Sequence, residues 1–116
     1  MYDNKNQLRE DAIELAIQIS DLCDEIKGCS VYVNQIVRAS SSIGANIHEA
    51  KYAQSKADFV AKMSIALKEA NETHYWLKLL YKTDYLSEAQ YNSINTDINE
   101  LVGLLMAICK TASANK

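Results

Sequence analysis

The chain has 116 residues, no proline, three glycines and 48% hydrophobic residues, with a single Phe and a single Trp. Few breakers and an apolar set rich in Ala, Ile and Leu predict one all-α domain over residues 1–116, large enough to bury one core. A net charge of −3 argues against a surface that is basic throughout, and no apolar run approaches the ~20 residues of a membrane span.

The start, MYDNKNQLREDAIEL, is polar and acidic and has no resemblance to a signal peptide. A cytoplasmic protein is expected. Charge is unevenly spread: residues 1–27 hold seven acids against three bases, and residues 51–116 hold eight bases against seven acids. The first helix is thus an acidic strip on an otherwise near-neutral chain.

Helix 1 is predicted over residues 5–27. Leu8, Ala12, Leu15, Ile19, Leu22 and Ile26 recur at alternating four- and three-residue intervals, a heptad seam. Ile13, Ala16, Ile17 and Cys23 widen the apolar surface beyond what one neighbour needs. Gly28 then supplies a left-handed stop.

Helix 2 is predicted over residues 30–52, with Val33, Ile36, Ser40, Ile43, Ile47 and Ala50 in its seam. Beside them stand Ala39, Ser41, Ser42, Gly44 and Ala45. This composition predicts close helix packing around polar groups that need partners. Gly44 inside a helix costs ~1 kcal/mol relative to Ala, and a close neighbour is the expected compensation.

Ser55 is a suitable N-cap for helix 3, residues 56–84, with Asp58 placed to favour the free amides. Its seam runs from Phe59 through Met63, Ala66, Ala70, Thr73 and Leu77 to Leu80. Val60, Leu67, His74 and Tyr81 form an adjacent stripe, and Ile65, Trp76 and Leu79 lie away from both. Helix 4, residues 88–112, opens with a Ser87–Gln90 capping box and a Leu86–Tyr91 staple. Tyr91, Ile94, Ile98, Leu101, Leu105 and Ile108 make its seam, and residues 110–116 are expected to fray.

Three short connections imply antiparallel neighbours, so the predicted fold is an up-down-up-down four-helix bundle. Such a bundle buries about three of every seven positions in a helix. Helices 1, 3 and 4 exceed that, and the surplus predicts a second buried face against another copy or a partner protein.

Catalytic and metal chemistry are not expected. A di-iron bundle site needs Glu-x-x-His pairs on two helices, whereas His74 follows Glu72 by two residues and His48 directly precedes Glu49. Ser40, Ser41 and Ser42 have no base placed beside them for nucleophilic activation. Cys23, Cys29 and Cys109 lack metal-ligand spacing and are expected to be reduced, Cys23 and Cys109 on apolar faces. No cofactor is predicted.

Two clusters remain. Asn46 and Glu49 share a face of helix 2, and Glu72 lies on helix 3. They form either an interhelical hydrogen-bond network that fixes register or a polar site for a ligand or a partner's basic group. Arg38, Lys51, Lys56 and Lys62 gather around the helix 2–3 turn. In an oligomeric ring they would repeat as a basic rim for phosphates; otherwise they are ordinary solvated bases.

Several of these residues carry a family resemblance. Ser42, Ile43, Asn46, Ile47 and Glu49 fit S-I-x-x-N-I-x-E, and Gln35 and Arg38 fit an upstream Q-x-x-R. Ser55, Phe59, Ile65, Ala66, Glu72 and the turn DYLSEAQY follow. From about Leu8 to Ile108 the chain resembles the bacterial four-helix-bundle family first known from proteins encoded in intervening sequences of 23S ribosomal RNA genes. The accessory protein of diversity-generating retroelements is a relative. The resemblance implies a homopentameric barrel and, for some members, nucleic-acid binding through a basic surface; most members have no assigned activity. Gly44 stands where many members have proline and Ala50 where they have glycine, which predicts a straighter, longer end to helix 2. Lys68 and Glu69 replace a common Gly-Ser pair.

The sequence is therefore read as a non-enzymatic homo-oligomeric assembly or adaptor protein. Its expected partners are itself and either structured RNA or DNA, or another protein.

Overall fold

The computed structural model describes residues 4–114, which form α1 (Asn4–Asp24), α2 (Ser30–Lys51), α3 (Lys56–Lys82) and α4 (Glu88–Ala114). Among the described residues there is no strand, and no helix is long and apolar enough to cross a membrane. α1 packs on α2, α2 on α3, α3 on α4, and α4 returns to α1. The diagonal pairs, α1 with α3 and α2 with α4, have no close backbone approach. The result is an all-α antiparallel four-helix bundle, 46 Å long.

The seams read from spacing form the core. Ile19 on α1, Ile36 and Ile43 on α2, Leu77 and Leu80 on α3, and Ile98 on α4 are fully enclosed. Each such side chain stabilises the fold by about 1.5–3 kcal/mol through removal from water. Small residues let α1 and α2 approach: a Cβ built at Gly44 would stand 3.7 Å from the Cβ of Ala12. That is ordinary contact, so the glycine is compatible with the packing without being required by it.

The hydroxyls beside this contact find partners at home rather than across the interface. Ser40 donates to the Val37 carbonyl at 3.2 Å, and Ser41 to the same oxygen at 2.8 Å. In α3 the buried Thr73 donates to the Glu69 carbonyl at 2.7 Å. Back-bonding to the preceding turn satisfies each group without a neighbouring helix.

Two of the three connections follow their cap chemistry. Ser55 accepts from the Asp58 amide at 3.0 Å, and Asp58 in return accepts from the Gln54 amide at 3.2 Å. Ser87 and Gln90 form the full reciprocal box, at 2.8 and 3.1 Å. Tyr91, in the first turn of α4, stacks on Tyr81 of α3 with ring centroids 4.4 Å apart.

The α1–α2 connection departs from expectation. α1 ends at Asp24, not Lys27, because its last turn tightens: the Glu25 amide donates to the Leu22 carbonyl and the Ile26 amide to the Cys23 carbonyl, each at 3.1 Å. Gly28 then takes a positive φ of 86°, and Cys29, the N-cap of α2, also sits left-handed at φ 55° with no side-chain cap bond. At the far end α4 is helical to Ala114, beyond the expected 112; residues 115 and 116 lie outside the described residues.

Candidate functional site

The polar centre of the molecule lies in the α2–α3 groove, around Arg38. Its guanidinium spans two carboxylates one turn apart on α3. One nitrogen is 3.2 Å from Oε2 of Glu69, a second bonds Oε1 of Glu72, and the Nε donates to Gln35 at 3.1 Å. The planar fork of arginine suits this pairing, since it offers donors in fixed directions to more than one acceptor. Glu69 is 9% exposed, the most enclosed charged residue among those described.

Aromatic rings extend the cluster towards the α1–α2 end. Trp76 donates through Nε1 to Glu72 at 3.4 Å. Its ring lies 6.0 Å from Tyr32 of α2 and 5.1 Å, edge-on, from Tyr75. One guanidinium against two carboxylates leaves the cluster with a formal charge of −1.

Asn46 and Glu49 are not part of this centre. Asn46 donates to the Ser42 carbonyl at 2.9 Å and to the Ser42 hydroxyl at 3.2 Å, both on its own helix. It stands eight residues beyond Arg38, about 12 Å along the axis at 1.5 Å per residue. Glu72, held at the level of Arg38, is out of its reach. Glu49 is exposed at the end of α2.

The four bases divide in the same way. Lys51 and Lys56 are exposed on either side of the α2–α3 turn, and the Lys51 ammonium lies 5.6 Å from the Tyr52 ring centroid. Lys62 is half-buried further along α3. Arg38 is thirteen residues from Lys51, about 20 Å down the helix, and already engaged by acids.

Glu69 was missed as a site residue in the sequence. The signal was present: Glu69 and Glu72 are three apart, which sets two carboxylates on one face for the single guanidinium of Arg38 on the facing helix, while Gln35 accepts from Arg38 on its own helix. Near the α2–α3 turn an open apolar hollow of about 730 Å³ lies between Leu8, Ile47, Phe59, Met63, Leu104 and Ile108. Spacing alone did not reveal it, because its walls come from all four helices.

The three cysteines are free. Burial, and after it the neighbouring Asp24 carboxylate, pushes the Cys23 thiol up to about 11. At neutral pH it is protonated and behaves as a small core hydrophobe. Cys109 is half-buried rather than enclosed.

A family model described as 23S rRNA-intervening sequence protein matches residues 4–107. The chain belongs to this family. A solved structure shares its architecture: a protein of unknown function from the S23 ribosomal protein family of Bacteroides thetaiotaomicron, 46% identical, with a TM-score of 0.88. The match covers 93% of this chain and 99% of that one. No curated protein matches this chain. The match to the 23S rRNA-intervening sequence family spans nearly the whole bundle, and Arg38, Glu69 and Glu72 lie within it.

Proposed function

We propose that this protein is a non-enzymatic assembly protein whose copies associate through apolar side chains left outside the bundle core. The observation that carries this reading is the outward face of α1, where Ile13 and Ile17 are 51% and 50% exposed. Met106 of α4 adds a further exposed apolar side chain at 56%. Paired isoleucines one turn apart on a solvent face are costly to leave in water and inexpensive to cover. The state implied by the resemblance is a homopentamer. Light scattering on the purified protein tests it: a mass near five times the 13.0 kDa chain is expected, and a monomer at micromolar concentration overturns the reading.

A second reading, an adaptor that contacts structured RNA or DNA, is favoured by Lys51 and Lys56 on the α2–α3 turn. Arg38 is removed from that rim, since a phosphate arriving there would meet Glu69 and Glu72. Binding would rest on Lys51, Lys56 and Lys62, repeated around the assembly. Fluorescence anisotropy against a structured RNA and a DNA duplex, at low and near-physiological salt, decides it. Salt-sensitive binding weakened by Lys56→Glu supports the adaptor. No binding at low salt leaves a scaffold whose partners are proteins.

A further inference from the structure

We infer that the outward face of α1 docks on the outward face of α3 of a second copy of this chain, giving a head-to-tail contact. The inference rests on the assembly reading above and names its surfaces. On α1, helical periodicity places Glu10, Glu14, Asp21 and Asp24 around Ile13 and Ile17, and all six are exposed. On α3 the same periodicity gathers Lys68, Tyr75, Lys78 and Lys82 on the side away from the core, all exposed, with Tyr75 58% accessible. One face is apolar and acidic, the other apolar and basic.

Charge decides the pairing. Two α1 faces brought together would oppose eight carboxylates with no base between them. Two α3 faces would oppose six ammonium groups. Like-charge contact of this kind is disfavoured, whereas α1 on α3 sets acids against lysines and covers the isoleucines with the Tyr75 ring. Geometry permits it, because α1 and α3 are the diagonal helices, with no close backbone approach within one chain. Their outer faces therefore point to opposite sides of the bundle, and each copy can use both at once. Such a heterologous contact propagates until it closes into a ring or runs on as a filament.

Charge reversal tests this directly. The triple variant Glu10→Lys, Glu14→Lys, Asp21→Lys makes both faces basic, and the triple variant Lys68→Glu, Lys78→Glu, Lys82→Glu makes both acidic. All six in one chain restore complementarity in the opposite sense and leave the net charge at −3. Mass is read by light scattering and sedimentation velocity at low salt, with circular dichroism confirming that each variant is helical. Each triple alone is expected to reduce the oligomer to the 13.0 kDa chain, and the sixfold variant to return it to the wild-type mass. An assembled wild type whose mass neither triple changes overturns this inference alone, as does a folded sixfold variant that stays monomeric. A monomeric wild type overturns the assembly reading and this inference together.

Discussion

In the first half of α2, Arg38 reaches across the groove to two carboxylates of α3, whereas in the second half Asn46 folds back onto Ser42 of its own helix. Both residues are polar, both stand beside the seam, and both face a helix only 8–10 Å away by ordinary packing distances. What separates them is reach. A guanidinium on a three-carbon stem bridges that gap and satisfies two acceptors; a carboxamide one carbon from the backbone does not, and turns to the nearest carbonyl. A polar residue in a helix seam joins two helices only when its length matches the groove.

The strongest way to break this contrast is Arg38→Met, which keeps the stem and removes the charge. Glu69, nearly enclosed, loses its cation while Glu72 stays partly in water. Removing one partner of a fully buried pair costs 3–5 kcal/mol and of a surface pair under 1. With Arg38 itself 47% exposed, a loss of about 2 kcal/mol is expected in urea unfolding. Adding Glu69→Gln should recover about half of it, because the amide is less costly to bury. A loss below about 0.5 kcal/mol would mean that the pair behaves as a surface bridge and anchors nothing.

This contrast also marks what spacing reveals. The four seams, the helix order and both Ser-based caps were legible, because periodicity and capping depend on residues within one turn of each other. Glu69 was not, since its role comes from a helix thirty-one positions away in sequence. Grouping Asn46 and Glu49 with Glu72 relied on helical faces without the axial register between helices, which only packing sets. The early end of α1 was hidden for another reason. Ile26 continues the apolar seam and stays packed on the core although the chain has already left the helix.

Gly44→Ala sharpens the comparison from the second half of α2. The structure leaves room for a methyl group against Ala12, so the helix should gain up to about 1 kcal/mol from propensity alone. A rise in thermal midpoint is the readout. A fall would show that α1 and α2 meet more closely than ordinary contact and that the glycine is needed for the approach.

The start of α2 offers a smaller gain. Cys29 holds a left-handed conformation that costs a side-chain-bearing residue roughly 1–2 kcal/mol. Cys29→Gly removes that strain, but it also loosens the unfolded chain, which offsets part of the benefit. A net stabilisation of about 0.5 kcal/mol is expected in urea unfolding. Cys29→Val, with a branched side chain in the same conformation, should lose more than the glycine gains.

The smallest effect belongs to Asn46→Ala, and its smallness is the point. Were Asn46 a link between helices, truncation would strand a buried partner and cost 1–3 kcal/mol. Its bonds instead go to Ser42 on the same helix, a carbonyl already engaged in the helical ladder and a hydroxyl within reach of other acceptors. Alanine is also the better helix former, which offsets the lost bonds. Urea unfolding should therefore place Asn46→Ala within about 0.5 kcal/mol of wild type. Paired with Arg38→Met, it should add to that loss without coupling, because the two sites share no partner and lie about 12 Å apart. Measurable coupling between them would mean that the groove acts as one network after all, with Asn46 reaching α3 through water.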